Sequence, residues 1–509
     1  MAMKWIDRSE SHADRIAVIN AGEAFRYREV IDASSAIASF LLQGGKDLAG
    51  ERVALMASPG FRFVAALWGI WRAGGVAVPL CLSHPRPELE HVLRDSDASW
   101  ALFDSGFVEV LSPLARDLEI RPCQLEEIPA IFADPAFPTI TGDHPATLFY
   151  TSGTTGKPKG VVATHGNFQA QVETLRTSWG WQKEDRILNV LPLHHVHGLV
   201  NIQGCALWSG ATWESLGKFD ADAVWERLAS GEITLFMAVP TIYHRLIRAW
   251  QSKDSSHQRK LSEGAARLRL MVSGSAALPV QVLESWQRIT GHVLLERYGM
   301  TEIGMALSNP LEGNRRPGHV GQPLPGVDVR LVDEHEQSVP AGEPGELRVR
   351  GPAVFSQYWR QPQETAEAFR DGWFLTGDVA VFEQGSYRIL GRSSVDIIKT
   401  GGYKVSALEV ESVLRDHPGI QDCAVVGLQD PEWGQVIAAA LVVGQGFALS
   451  EDELRPWTQE ILAPYKLPRK FLVIEELPRN ALGKVIKPRV AELFLETTED
   501  TSSASTGKS

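Results

Sequence analysis

Residues 150–160 read YTSGTTGKPKG. This stretch holds the hydroxyls of Thr151, Ser152, Thr154 and Thr155, the glycines Gly153, Gly156 and Gly160, and the amines of Lys157 and Lys159. Glycines let backbone N–H groups approach an anion, hydroxyls add donors, and lysines add charge. The combination is that of a phosphate cradle. It is not a Walker loop, which puts four residues between its glycines and a Ser or Thr after the lysine. Here two residues separate Gly153 from Gly156, and Pro158 follows Lys157. Residues 147–150 and 161–164 both read as strands, so the loop joins strand to strand. A P-loop nucleotidase is therefore disfavoured. For a short Gly/Ser/Thr loop on its own, a plain surface turn is an equal reading.

Six further motifs follow in order: SGSAALP at 273–279, ERYGMTE at 296–302, GWFLTGD at 372–378, GR at 391–392, GGYKVSALEVE at 401–411 and LPRNALGK at 477–484. With the loop, this ordered set resembles the adenylate-forming superfamily of acyl-CoA synthetases, luciferases and peptide-synthetase adenylation domains. The resemblance runs from residue 14 to about residue 487. It implies a two-step reaction using ATP, Mg²⁺ and coenzyme A. A carboxylate attacks the α-phosphorus of ATP, and a thiol then attacks the acyl carbon of the adenylate. The first step brings an anion to an anion, so positioning and charge compensation should dominate its catalysis.

The resemblance also assigns roles. The loop residues Thr151 to Gly156, with Lys157 and Lys159, face phosphate. Gly274, Ser275 and Ala276 line one face of adenine and Tyr298 the other, with Gly299 and Met300 beside them. Glu302 holds Mg²⁺, with the Thr301 hydroxyl nearby on a phosphate oxygen. Asp378 accepts the ribose hydroxyls and Arg392 donates to the ribose. Lys484 reaches the α-phosphate and the acyl carboxylate when a small mobile C-terminal domain closes. Gly401, Gly402, Tyr403 and Lys404 line the path of the CoA arm in a second arrangement. On residue type alone each has a blander reading. Tyr298 is a core aromatic, Asp378 an Asx-turn residue, Thr301-Glu302 a helix first turn, and Lys484 a solvated surface lysine. One extra residue separates Arg392 from Gly402, which leaves the hinge at Ser394 or Val395.

Arg297 departs from fatty-acyl and aryl relatives, where the residue before the tyrosine is usually small. A cation there shortens the acyl pocket and suits a second carboxylate. His197 adds a donor, and His195 matches the family's gating position beside the acyl group. A salt bridge with a neighbour is the other reading of Arg297. The texts at 236–247, 295–310 and 391–411 resemble the malonyl-CoA synthetase branch, which implies malonate as substrate, with methylmalonate second. The rivals are a short- or medium-chain fatty acyl-CoA synthetase and an adenylation enzyme that loads a carrier-protein thiol in trans.

Elements must hold these groups. Residues 52–57 read as a strand, 61–71 as a helix and 76–80 as a strand, with strands again at 186–191, 233–239 and 268–272. This rhythm argues for layered α/β subdomains with buried, largely parallel sheets. Dense Gly and Pro at 317–351 point to a small antiparallel β unit. After Arg392 an α+β unit follows, with a helix at 407–415, strands at 423–427 and 436–443, a helix from about residue 451 and a strand at 471–475. The expected organisation is therefore 1–392 as the AMP-binding and acyl-binding domain (β-rich at about 312–392), 393–496 as the small domain, and 497–509 as a disordered tail.

The 509 residues carry a net charge of −12, with 44% hydrophobic and 22% charged residues. That balance fits a folded protein and argues against a nucleic-acid or membrane-surface binder. The four cysteines, Cys81, Cys123, Cys205 and Cys423, have no CxxC spacing, so neither a zinc site nor a disulfide framework is expected. The N-terminal text has no apolar signal core and is not an Arg-rich, acid-free transit sequence, which points to the cytoplasm. The oligomeric state is not legible.

Overall fold

The computed structural model describes residues 4–129, 136–151, 158–444, 446–479 and 485–503. Ser152, Gly153, Thr154, Thr155, Gly156 and Lys157 of the glycine-rich loop, and Lys484, lie outside the described residues.

Two largely parallel sheets build the N-terminal body. The strands read at 52–57 and 76–80 are Arg52–Met56 and Val76–Pro79, parallel neighbours with Arg52 opposite Val76. Among the described residues their sheet runs Gln357–Tyr358, Lys159–Thr164, Pro145–Thr151, Val76–Pro79, Arg52–Met56, Ala98–Phe103, Arg121–Gln124. The second sheet runs Gln322–Pro323, Gly304–Ser308, Leu295–Met300, Leu270–Ser273, Leu235–Ala238, Arg186–Asn189, Thr212–Ser215, Ile16–Asn20, Glu23–Arg26. Its centre is parallel and its ends antiparallel. The strand expected at 186–191 stops at Asn189. The Asn189 amide turns back onto Leu191, donating to its carbonyl and accepting from its N–H.

The helix Phe61–Arg72 is apolar on all sides and buried from Phe63 to Trp71, as a helix enclosed by other layers must be. Gly69 lets it lie against the helix Tyr27–Leu42, since a Cβ there would stand 2.7 Å from Ile37 Cγ2. Gly74, at φ 78°, lets the chain turn out of the helix where a side chain would be strained. One hydrophobic core runs through both layers and into the β unit.

That β unit is an antiparallel sheet of Asp328–Val332, Pro344–Arg350, Trp373–Glu383 and Phe369–Arg370, with Ser386–Arg392 beside Trp373–Glu383. Beyond Arg392, the strands Tyr403–Ser406, Ile397–Thr400, Gly434–Val443 and Ile420–Asp430 form a further sheet, with Lys470–Val473 parallel to Gly434–Val443. Alternation along Ile420–Asp430 sends Cys423 and Val425 to one face and Ala424 and Val426 to the other. Each face buries its own cluster. One lies under the helices Ala407–Leu414 and Glu451–Ile461, the other under the last helix with Val490 and Phe494.

The final helix runs Lys487–Ser503 and so enters the stretch 497–509 that reads as a disordered tail; residues 504–509 lie outside the described residues. The first turns of this helix are anchored by the apolar Val490 and Phe494. Among the described residues no helix is long and apolar enough to cross a membrane.

Candidate active site

The loop flanks are strands, as expected. Pro145–Thr151 and Lys159–Thr164 pair antiparallel, with Thr151 opposite Lys159. The base of the loop is braced. The Tyr150 hydroxyl donates 2.6 Å to Asp95 Oδ2, and His91 Nε2 lies 3.1 Å from the Pro158 carbonyl. The Lys159 ammonium, expected to face phosphate, is ion-paired with Glu364 and lies 5.8 Å from the Tyr358 ring centre.

The ERYGMTE motif forms the strand Leu295–Met300 and the turn into Gly304–Ser308. Strand alternation sends Glu296 and Arg297 to opposite faces. Arg297 is 2% exposed, and it takes part in no ion pair among the described residues. Its two terminal nitrogens stand 3.5 Å from Ser275 Oγ, and its Nε has no hydrogen-bond partner. At 3.5 Å the hydroxyl does little to satisfy the guanidinium. Burial pulls the Arg297 pKa down to about 9. Gly274 makes the position possible, because a Cβ there would stand 2.5 Å from the guanidinium carbon.

Ser275 also lies 3.2 Å from His197 Nδ1. The backbone at Ser275 has φ 69°, a region a serine adopts only at some strain. His197 starts a π-helical turn, His197–Gly204, and its Nε2 is buried without a partner. Burial, then the neighbouring Arg297, pushes the His197 pKa well below the usual imidazole value, so the ring is neutral. A buried cation whose Nε lacks an acceptor, beside a neutral imidazole whose Nε2 is also unpartnered, has the chemistry to bind a carboxylate. His195 is half-buried, with its ring centre 4.1 Å from that of His194.

A second cluster starts one residue on. The Tyr298 hydroxyl donates to Asp378 Oδ2, while Arg392 Nε lies 3.2 Å from Asp378 Oδ1. Asp378 follows the Thr376-Gly377 turn, where the Thr376 hydroxyl accepts from the Asp378 N–H and donates to the Leu347 carbonyl. Glu302 is buried and accepts from the Tyr358 hydroxyl at 3.2 Å. Burial raises its pKa, against the opposing pull of its hydrogen bonds. A buried carboxylate such as Glu302 fits Mg²⁺, which takes one or two carboxylates together with substrate phosphates. Among the described residues there is no group of three or more metal-ligating His, Cys, Asp or Glu. Gly304, at φ 64°, closes the turn against Gln171, whose Oε1 accepts from Met305 N.

Gly401 and Gly402, both at positive φ, turn the hairpin between Ile397–Thr400 and Tyr403–Ser406. Gly401 lies against Trp433, Tyr403 stacks on Tyr465 at 4.3 Å, and Lys404 is exposed. Sequence reasoning missed Tyr358, Asp396 and Lys487. None of them carries a local signal. Tyr358 meets Glu302 from far along the chain, and the two others pair inside the small unit.

The comparisons with known proteins agree with the fold. Residues 6–359 match the AMP-binding enzyme family, and residues 409–484 match the AMP-binding enzyme C-terminal domain. The chain is 48% identical to malonate--CoA ligase ACSF3, mitochondrial, of Mus musculus, over 94% of this chain and 88% of that one. It superposes on ATP-bound MatB from Rhodopseudomonas palustris with a TM-score of 0.89 at 31% identity, covering 97% of this chain and 99% of that one. On apo MatB the TM-score is 0.79, with the same identity and coverage. Motif order, fold and family match converge: the chain belongs to the AMP-binding enzyme family, within the adenylate-forming superfamily.

Proposed function

We propose that this protein is an AMP-forming malonate–CoA ligase that joins malonate to coenzyme A through malonyl-adenylate, at the expense of ATP. The observation that carries the reading is Arg297, buried beside Ser275 and His197 with no counter-charge among the described residues. The malonate--CoA ligase of Mus musculus, 48% identical over most of the chain, supports it.

In this reading one malonate carboxylate sits on Arg297, with Ser275 and His197 as further donors. The other carboxylate attacks the α-phosphorus of ATP, and pyrophosphate leaves. Tyr298 and the Gly274 to Ala276 backbone hold adenine, while Asp378 and Arg392 hold the ribose. Glu302 and Thr301 hold Mg²⁺, which supplies charge neutralisation at the phosphates. Lys157 adds charge there, and Lys484 does so at the α-phosphate and the attacking carboxylate. Lys159, already paired with Glu364, braces the loop. His195 screens the acyl group. The CoA thiol then attacks the acyl carbon, releasing AMP, with Gly401, Gly402, Tyr403 and Lys404 lining its approach. The two steps use two placements of residues 393–496 against residues 1–392.

Desolvating Arg297 without a carboxylate is costly. A broken buried pair costs about 3–5 kcal/mol, on the order of 100-fold or more against a monocarboxylate. Pyrophosphate release across malonate, methylmalonate, succinate, acetate and octanoate tests the reading. Malonate should lead, with methylmalonate second; a preference for octanoate overturns it. Free CoA as acceptor, compared with a carrier-protein thiol, tests the second step. All four cysteines are free and buried, which fits a reducing compartment. We assign the enzyme to the cytoplasm, and cell fractionation decides between that and the mitochondrial designation of the mouse relative.

A further inference from the structure

Lys487 opens the last helix, yet its side chain is only 10% exposed. Its ammonium lies 2.6 Å from Asp396 Oδ1 and 2.8 Å from Glu411 Oε1. Both carboxylates are committed further. Asp396 Oδ2 accepts from the Arg392 N–H at 3.0 Å, and the Asp396 carbonyl accepts from Ala407 N at 2.7 Å. Glu411 Oε1 also accepts from Val425 N at 2.9 Å, while its Oε2 lies 3.3 Å from Arg415. Arg415 lies 3.7 Å from Asp422, which pairs with Arg479.

Two charge groupings are thus joined at Arg392, whose side chain pairs with Asp378 and whose backbone N–H donates to Asp396; from Asp396 the half-buried to buried ion pairs run through Lys487 and Glu411 to Arg415. Burial by itself would lower the Lys487 pKa, but the two carboxylates hold it above the usual lysine value. An ammonium in this position is costly to remove, because Asp396 loses its cationic partner and the buried Glu411 keeps only Arg415.

Lys487 stands three positions after Lys484 in the chain. A surface lysine at a helix start would be free to swing. This one ties the start of the last helix both to the segment leaving Arg392 and to the helix Ala407–Leu414. We propose that Lys487 is a positioning residue for adenylate formation. Its double ion pair fixes the C-terminal segment relative to the ribose-binding pair, and so sets where Lys484 can reach. The inference rests on the role given to Lys484 under the proposed function.

The test uses the full-length enzyme in two separate half-reactions. One is malonate-dependent pyrophosphate release. The other is thioester formation from supplied malonyl-adenylate and CoA. Lys487→Met should lower kcat of the first on the order of 100-fold, the scale of a misplaced catalytic group, with little change in KM for ATP. The second should fall far less, and Lys487→Arg should recover most of the loss. Equal loss in both halves, or no loss in the first, overturns the proposal. If Lys487→Met fails to fold by thermal melting, Asp396→Asn serves in its place, with the same split expected and the same result against it. Wild-type enzyme in the same assay separates the two ideas. Failure of wild type to release pyrophosphate with malonate counts against the malonate reading and not against Lys487.

Discussion

Gly274 and Arg297 are mutually dependent: a Cβ on Gly274 would stand 2.5 Å from both Cζ and Nε of Arg297. The backbone of one residue is the shelf on which the guanidinium of the other rests. Both the specificity and its tests follow from this contact.

Gly274→Ala should displace the guanidinium and raise KM for malonate by more than it raises KM for ATP, on the order of tenfold or above. In an Arg297→Ala background the same change should cost little more, because contacting residues are not additive. Steady-state kinetics of the two single variants and the double variant check it. Additive losses would place the effect of Gly274 elsewhere.

Tyr298→Phe removes the hydroxyl that donates to Asp378. A hydrogen bond to a charged group is worth about 1.5–3 kcal/mol, so KM for ATP should rise on the order of tenfold or more. KM for malonate should move less. Initial rates with each substrate varied in turn measure the difference.

Lys484→Ala should abolish malonate-dependent pyrophosphate release and leave thioester formation from supplied malonyl-adenylate nearly intact. Rapid-quench measurement of each half-reaction checks this. A parallel loss of both would contradict alternation of the small domain between two tasks.

Glu296, next to Arg297 but facing the other side of the strand, gives a stability prediction. Burial raises its pKa from 4.5 to about 8, against the pull of one backbone hydrogen bond from Leu278. The unfolded carboxyl gives up its proton first as pH rises. Between about 4.5 and 8 the native state therefore holds the extra proton, and stability falls with pH by at most about 1.4 kcal/mol per unit. Below and above that window this group contributes no slope. Glu296→Gln should flatten the dependence, so urea midpoints at pH 5.5 and 8.5 should lie closer together than in wild type.

The parallel layers were legible because apolar strand runs and helix stop signals such as Gly74-Gly75 are local. So were the flanks of the glycine-rich loop. What local text lacked was the identity of distant partners. Arg297 read equally as salt-bridged or as a receptor, and only the fold shows Ser275 and His197 around it with no carboxylate among the described residues. Lys159 carries no local sign of Glu364, its ion-pair partner far along the chain. The π-helical turn at His197 has no periodicity signal of its own. The left-handed backbone at Ser275 could not be read from a serine, since glycine is the residue that usually announces it.

Asp378 spends one carboxylate oxygen on Tyr298 and the other on Arg392. Arg392 in turn is the residue whose N–H is held by Asp396, at the threshold of the small unit. Under the proposed role of Asp378, a ribose that takes up its carboxylate would redistribute the hydrogen bonds to Tyr298 and to Arg392, the residue at that threshold. By linkage the effect is reciprocal, so whatever repositions the threshold also changes the grip on nucleotide. Under the proposed two-step reaction, release of AMP and return of the small unit to its starting place would be two readings of one equilibrium.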